Sequence, residues 1–163
     1  MPIVFDSSTL ILLAKTDLLR EVTSGFQASI PDRVRQEVLA KQSPDAELVR
    51  LLIREKRLEM GKPRKETTGK LAQDFRLHAG EAEALALAIE AVAPLAVDDG
   101  PTIKACKVVA RPFLTAIHFL IHLTESNRIS RQIALEKLDR LSTYGRYKGR
   151  IIEDAARRMK GSP

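Results

Sequence analysis

Short, wholly apolar runs that stop at acids or helix breakers alternate along the chain with stretches of helical periodicity. Ile3-Val4-Phe5 stops at Asp6-Ser7-Ser8-Thr9, and Leu10-Ile11-Leu12-Leu13-Ala14 continues at helical density. A buried strand, a polar turn and a helix are predicted there. Gln27-Ala28-Ser29-Ile30 ends at Pro31-Asp32, after which Val34, Val38 and Leu39 recur at helical spacing. This second extended segment feeds a helix with proline near its first turn. From Asp45 to Lys56, following Ser43-Pro44, Leu48, Leu51, Leu52 and Ile53 line one side among charges, the pattern of an amphipathic helix. Leu58-Glu59-Met60 is a brief extended piece.

The basic, breaker-rich stretch Gly61 to Gly69 predicts a crossing loop, with a helix from Lys70 to Leu77 after it. Ala79-Gly80-Glu81 opens the most helix-prone segment, Glu81 to Val92, which Pro94 ends. Leu95-Ala96-Val97 is another apolar strand, and like the first it runs straight into acid, Asp98-Asp99-Gly100. A short helix holding Ile103 to Cys106 and a strand at Val108-Val109-Ala110 are expected next, then helices around Thr115 to Leu123, Ser130 to Leu141 and Arg150 to Met159. Apolar strands alternating with amphipathic helices imply an α/β fold, a three-layer α/β/α sandwich with a short, mainly parallel central sheet. Ligands of such sheets bind beyond the carboxyl ends of the strands, where Asp6 and Asp98 stand.

Composition narrows the partners. The 163 residues, 44% hydrophobic and 29% charged, fit one folded domain spanning 1–163 and exclude a disordered chain. The formal charge of +6 is localised: ten Lys and Arg against four acids lie between Arg128 and Lys160, and the remaining residues hold 17 of each sign. Residues 128–163 are thus a basic helical C-terminal extension of the same domain, which points to a polyanion. With aromatics at 4% and no Trp, a base-stacking aromatic platform is disfavoured and contact to phosphate is favoured, above all at Arg146, Lys148 and Arg150. A lone cysteine, Cys106, excludes an intramolecular disulfide and a thiolate metal cluster and fits a reducing cytoplasm. No apolar run approaches the ~20 residues of a membrane span, so no membrane partner is expected.

Singly, each carboxylate has a bland reading. Asp6 could cap the following helix, Glu37 could be a solvated charge among arginines, Glu81 and Glu83 suit a helix N-terminus, and Asp98-Asp99-Gly100 could be a turn. Together, two acids ending strands and two more on helices that reach the same edge would repel unless a cation neutralised them. An all-oxygen ligand set without His or Cys suits Mg²⁺ or Mn²⁺, which bind substrate phosphate and clamp the oxygens of an in-line displacement. Phosphodiester hydrolysis is the chemistry implied. A dehalogenase-type phosphatase would need an aspartate where Ser8 stands, and no glycine-rich phosphate loop occurs. His118 and His122, four apart, have a spacing a metal could use, with helix packing the favoured reading.

Ile3-Val4-Phe5-Asp6-Ser7-Ser8, Pro31 with Val34 and Glu37-Val38-Leu39, Gly80-Glu81-Ala82-Glu83, and Leu95-Ala96-Val97-Asp98-Asp99 follow one another over roughly residues 2 to 123. In this order they resemble the PIN-domain family, and within it the prokaryotic relatives of the VapC toxins. The resemblance implies a metal-dependent endoribonuclease with RNA as substrate, and it admits a small antitoxin protein and, in a homodimer, a second copy of the chain as partners. It implies catalytic roles for Asp6, Glu37, Glu81 and Asp98 or Asp99, with Asp6, Glu81, Asp98 and Asp99 as metal ligands and Ser8 and Glu83 in support. Two departures stand out: Gly100-Pro101-Thr102 replaces the basic run that relatives show, and Phe113-Leu114-Thr115-Ala116-Ile117 lacks the usual glycine. The first leaves open which aspartate faces the metal, and both leave room for a catalytically weakened copy; the alternatives are a non-catalytic or weakened RNA-binding module and an RNA-processing nuclease without an antitoxin.

Overall fold

The computed structural model describes residues 1–161. Five parallel strands form one sheet in the order β3-β2-β1-β4-β5: β1 (Pro2–Phe5), β2 (Gln27–Pro31), β3 (Leu58–Gly61), β4 (Leu95–Ala96) and β5 (Phe113–Leu114). Ten helices flank it, giving an α/β/α sandwich: α1 (Ser7–Lys15), α2 (Leu19–Gly25), α3 (Asp32–Leu39), α4 (Pro44–Arg54), α5 (Lys65–Phe75), α6 (Ala79–Glu90), α7 (Gly100–Val108), α8 (Ala116–Glu125), α9 (Arg131–Tyr144) and α10 (Gly149–Met159).

β1 is central, and both of its faces are covered. Ile3, Val4 and Phe5 are all buried, which is why this strand reads as a continuous apolar run and not as an alternation. Helix α6, rich in alanine, lies close against β1, β2 and β4, while Phe119 of α8 stacks on Phe5 at 5.5 Å between ring centroids. The chain builds β1 to β3 outward in one direction and then returns to place β4 on the other side of β1. That reversal opens a crevice at the carboxyl ends of β1 and β4, the position in which such sheets bind ligands.

Three expectations need correction. No strand forms at Val108-Val109-Ala110; Val108 ends α7 and is 72% exposed, Ala110 takes a left-handed φ of 56°, and the Arg111 amide closes the helix on the Cys106 carbonyl at 2.8 Å. The β-branched pair is consumed by a helix C-terminus, and the strand forms instead at Phe113–Leu114. The supposed loop from Gly61 to Gly69 is shorter, because α5 starts at Lys65 and runs through Gly69. Helix α2 was not legible as a separate element, since a left-handed turn at Asp17 divides it from α1 without glycine or proline.

Candidate active site

Asp6 follows the last residue of β1 and is 1% exposed. One carboxylate oxygen, Oδ2, caps α1: it accepts from the Ser8 hydroxyl at 2.7 Å and the Ser8 amide at 3.3 Å. The other, Oδ1, is buried and has no hydrogen-bond partner among the described residues. Burial, reinforced by the charge of Glu81, pushes the Asp6 carboxyl up to about 6 against the Ser8 bonds that favour the anion. The helix-cap reading and the functional reading therefore belong to different oxygens of the same side chain.

Glu81 sits in the first turn of α6 and folds back to accept from the His78 amide at 3.0 Å. Burial raises its pKa, and the charges of Asp99 and Glu37 raise it further. Glu37, on α3, accepts from the Ser7 hydroxyl at 3.1 Å and passes directly over Gly80. A Cβ at Gly80 would meet the Glu37 carboxylate, so glycine here leaves the room in which that carboxylate lies against α6. Asp6, Glu81, Asp99 and Glu37 thus form one electrostatically linked group with Glu81 at its centre.

The adjacent aspartates divide their work. Asp98 is enclosed by donors: Oδ2 accepts from the Thr9 hydroxyl at 2.6 Å and the Ala116 amide at 3.1 Å, and Oδ1 accepts from the Tyr147 hydroxyl. Its own amide donates to the Ser8 hydroxyl at 3.0 Å, tying the end of β4 to the start of α1. Burial raises the Asp98 pKa while the Thr9 and Tyr147 hydrogen bonds pull it back, and burial beside Asp98 raises that of Tyr147. Asp99 caps α7 through Oδ2, which accepts from the Thr102 amide at 3.0 Å and hydroxyl at 2.7 Å.

A cleft of about 1030 Å³ opens beside these acids, bordered by Ser8, Asp98 and Asp99 on one wall and by the α9–α10 connection on the other. Arg146, Lys148 and Arg150 line it and make no ion pair among the described residues. Other cations of the basic C-terminal segment are engaged with acids: Arg128 with Glu21, Lys137 and Arg140 with Asp17, and Arg158 with Glu125.

A family model described as PIN domain, DUF3368, matches residues 2–160. The chain belongs to the PIN-domain family. Among solved structures it is similar to a chain of VapBC2 from Rickettsia felis bound to a DNA fragment from their promoter. The identity is 14%, the TM-score 0.50, and the match covers 71% of this chain and 98% of that one. No curated protein matches it.

In this PIN domain the donor set suits a hard divalent cation. The linked groups are all carboxylates, the charge of Glu81 raises the pKa of Asp6 and those of Asp99 and Glu37 raise that of Glu81, and Asp6 Oδ1 is buried without a partner among the described residues, a costly arrangement unless a proton or a cation sits against it. Among the described residues no group of three or more His, Cys, Asp or Glu side chains is placed so that it could hold a metal ion; Mg²⁺ commonly binds through one or two carboxylates while keeping several waters.

Glu83 is engaged elsewhere: its carboxylate accepts from the Arg33 amide at 3.1 Å, at the start of α3. His118 accepts the Thr115 amide on Nδ1 at 2.9 Å, and the His122 ring packs 5.4 Å from that of Phe26. Sequence reasoning missed Ser7, Thr9 and Tyr147. A hydroxyl-rich Ser7-Ser8-Thr9 run directly after a strand-ending aspartate was the available signal for the first two. Tyr147 carried none, because its partner lies 49 residues away.

Proposed function

We propose that this PIN domain is a metal-dependent endoribonuclease that hydrolyses phosphodiester bonds of single-stranded RNA. The observation that carries the reading is the buried Asp6 Oδ1, unpartnered among the described residues, on a carboxylate that feels the charge of Glu81, which in turn feels those of Asp99 and Glu37. Asp6, Glu81 and Asp99 would hold Mg²⁺ or Mn²⁺, with Glu37 beside them; both oxygens of Asp98 are taken by Thr9, Ala116 and Tyr147. The bound ion supplies positive charge at the reacting phosphate and lowers the pKa of water.

The chain's own groups do the rest. Ser8 fixes the Asp6 carboxylate through Oδ2 and leaves Oδ1 free to face the site. Asp98 acts as a buttress that joins α1, β4, α8 and the Tyr147 segment, so Asp99 is presented at a fixed place. Arg146, Lys148 and Arg150 bind and orient the RNA backbone along the cleft. The resemblance to VapC relatives extends the proposal to a cytoplasmic toxin held by a small antitoxin protein.

Incubating the chain with end-labelled single-stranded RNA in Mn²⁺, and again with excess EDTA, tests the reading. Internal cleavage that requires the ion is the expected result. Metal binding without cleavage would favour the RNA-binding module, and cleavage that persists in EDTA would remove the proposed chemistry.

A further inference from the structure

A second cleft, of about 720 Å³, lies at the carboxyl end of β3, across the sheet edge from Arg146, Lys148 and Arg150. Asp6 ends β1, which stands between β2 and β4 in the sheet, so the carboxylate group separates the two clefts. Met60 and Pro63 contribute apolar surface to the lining of the second cleft, and Lys62 and Lys65 line it as well.

Its net charge is positive by one: the lining holds three cations, Arg35, Lys62 and Lys65, against two acids, Asp32 and Glu83. Asp32 on the rim is held by Arg35 at 2.6 Å and by the Gln36 amide, and Glu83 is bound to the Arg33 amide. Lys62 and Lys65 make no ion pair among the described residues.

Two features of α5 have no explanation within the chain. Thr68 Oγ1 is buried without a hydrogen-bond partner among the described residues. Gly69 lies inside the helix, where glycine is among the least favourable residues, yet a Cβ there would meet no atom within 4 Å. Both residues line the cleft. Glycine at such a place removes a side chain from the cleft wall and lets a ligand approach the backbone.

We propose that this cleft is a nucleotide subsite for the RNA strand on one side of the scissile bond. The base lies on Met60 and Pro63 against the bare backbone of Gly69, Thr68 Oγ1 hydrogen-bonds to the nucleotide, and Lys62 and Lys65 take its phosphate. The identity of the ligand rests on the ribonuclease reading; charge complementarity and the fit of a nucleotide-sized cleft support it independently.

Fluorescence anisotropy of a labelled single-stranded RNA, measured in EDTA, tests the subsite without cleavage. Gly69→Leu, a neutral filling of the cleft, should weaken binding about tenfold, and Lys62→Ala with Lys65→Ala should weaken it and lower its salt dependence. Gly69→Ala should melt at or above the native temperature and bind RNA less tightly, which separates the site from any folding defect. Folded Gly69→Leu and Gly69→Ala chains that bind RNA as the native chain does would overturn the subsite and leave the cleft to a protein partner. Absence of RNA binding by the native chain would overturn it as well. Parallel cleavage in Mn²⁺ distinguishes the two readings: native binding without cleavage, with the variant effects intact, removes the nuclease and keeps the subsite.

Discussion

Asp6 titrates at about 6 in the fold because burial disfavours its anion, whereas an ordinary aspartate titrates near 3.8. The folded chain therefore holds a proton that the unfolded chain releases between those values. The associated stability, about 3 kcal/mol for such a difference, is complete below the unfolded value and lost as pH rises through 6. The upward displacement of Glu81 acts in the same sense. Without divalent ions, the melting temperature of Asp6→Asn should gain on that of the native chain as pH is raised from about 4 to 7. Adding Mn²⁺ at neutral pH should raise the native melting temperature and leave the variant unmoved. A gap that stays constant with pH would contradict the assigned burial of the charge.

The neighbouring aspartates separate at the same scale. Asparagine is as good an N-cap as aspartate, so Asp99→Asn should keep α7 intact while cleavage falls by on the order of 10²-fold or more. Asp98→Asn disturbs the Thr9, Ala116 and Tyr147 contacts, and should cost melting temperature with a smaller loss of cleavage, on the order of 10-fold. Rates of both variants, read beside their melting curves, check the division. The pair Asp98-Asp99 is visible in the sequence as a unit, but nothing adjacent tells the two apart. Asp98 takes its role from contacts made 18, 49 and 89 residues away, whereas Asp99 makes only the local cap to Thr102.

Elements were legible where packing made the pattern extreme. β1 and β4 announce themselves because both faces are covered and the strands end in acid, and α6 because alanine and leucine recur without interruption. β5 was misplaced because β-branched residues were read as strand when a left-handed helix end claimed them. Val92, also β-branched and exposed, likewise takes a positive φ, of 52°, just past the end of α6. The close crossing of α3 and α6 was the part of the site that periodicity could not reveal, since it depends on Gly80 lying beneath Glu37. Gly80→Ala should displace Glu37 while leaving its exposed chain free to move. Cleavage should drop by on the order of 10²-fold, as for a modest misplacement of a reacting group, with a comparatively small change in melting temperature. Equal losses in both measurements would make the contact purely structural.

Across the whole molecule the net charge conceals a division of labour. The carboxylates of the site all lie in the electrically balanced first 127 residues, and the excess cations lie in the C-terminal helices and the segment joining them. Several of those cations pair with acids of the body and dock α9 and α10, while Arg146, Lys148 and Arg150 face the cleft. Surface ion pairs of that kind contribute little each, so charge-removing changes at the three cleft cations should spare the fold. RNA binding should weaken with added salt by about 0.7 in log K per log salt for each neutralised phosphate, and Arg146→Ala with Lys148→Ala and Arg150→Ala should flatten that slope. A salt response unchanged by the triple substitution would place the RNA elsewhere.

The most direct measurement compares the native chain and Asp6→Asn in the same Mn²⁺-dependent cleavage of single-stranded RNA, with melting curves taken alongside. The account predicts internal cleavage by the native chain, and its loss in a variant that remains folded and no longer gains stability from Mn²⁺. Cleavage retained by folded Asp6→Asn would contradict the proposed site.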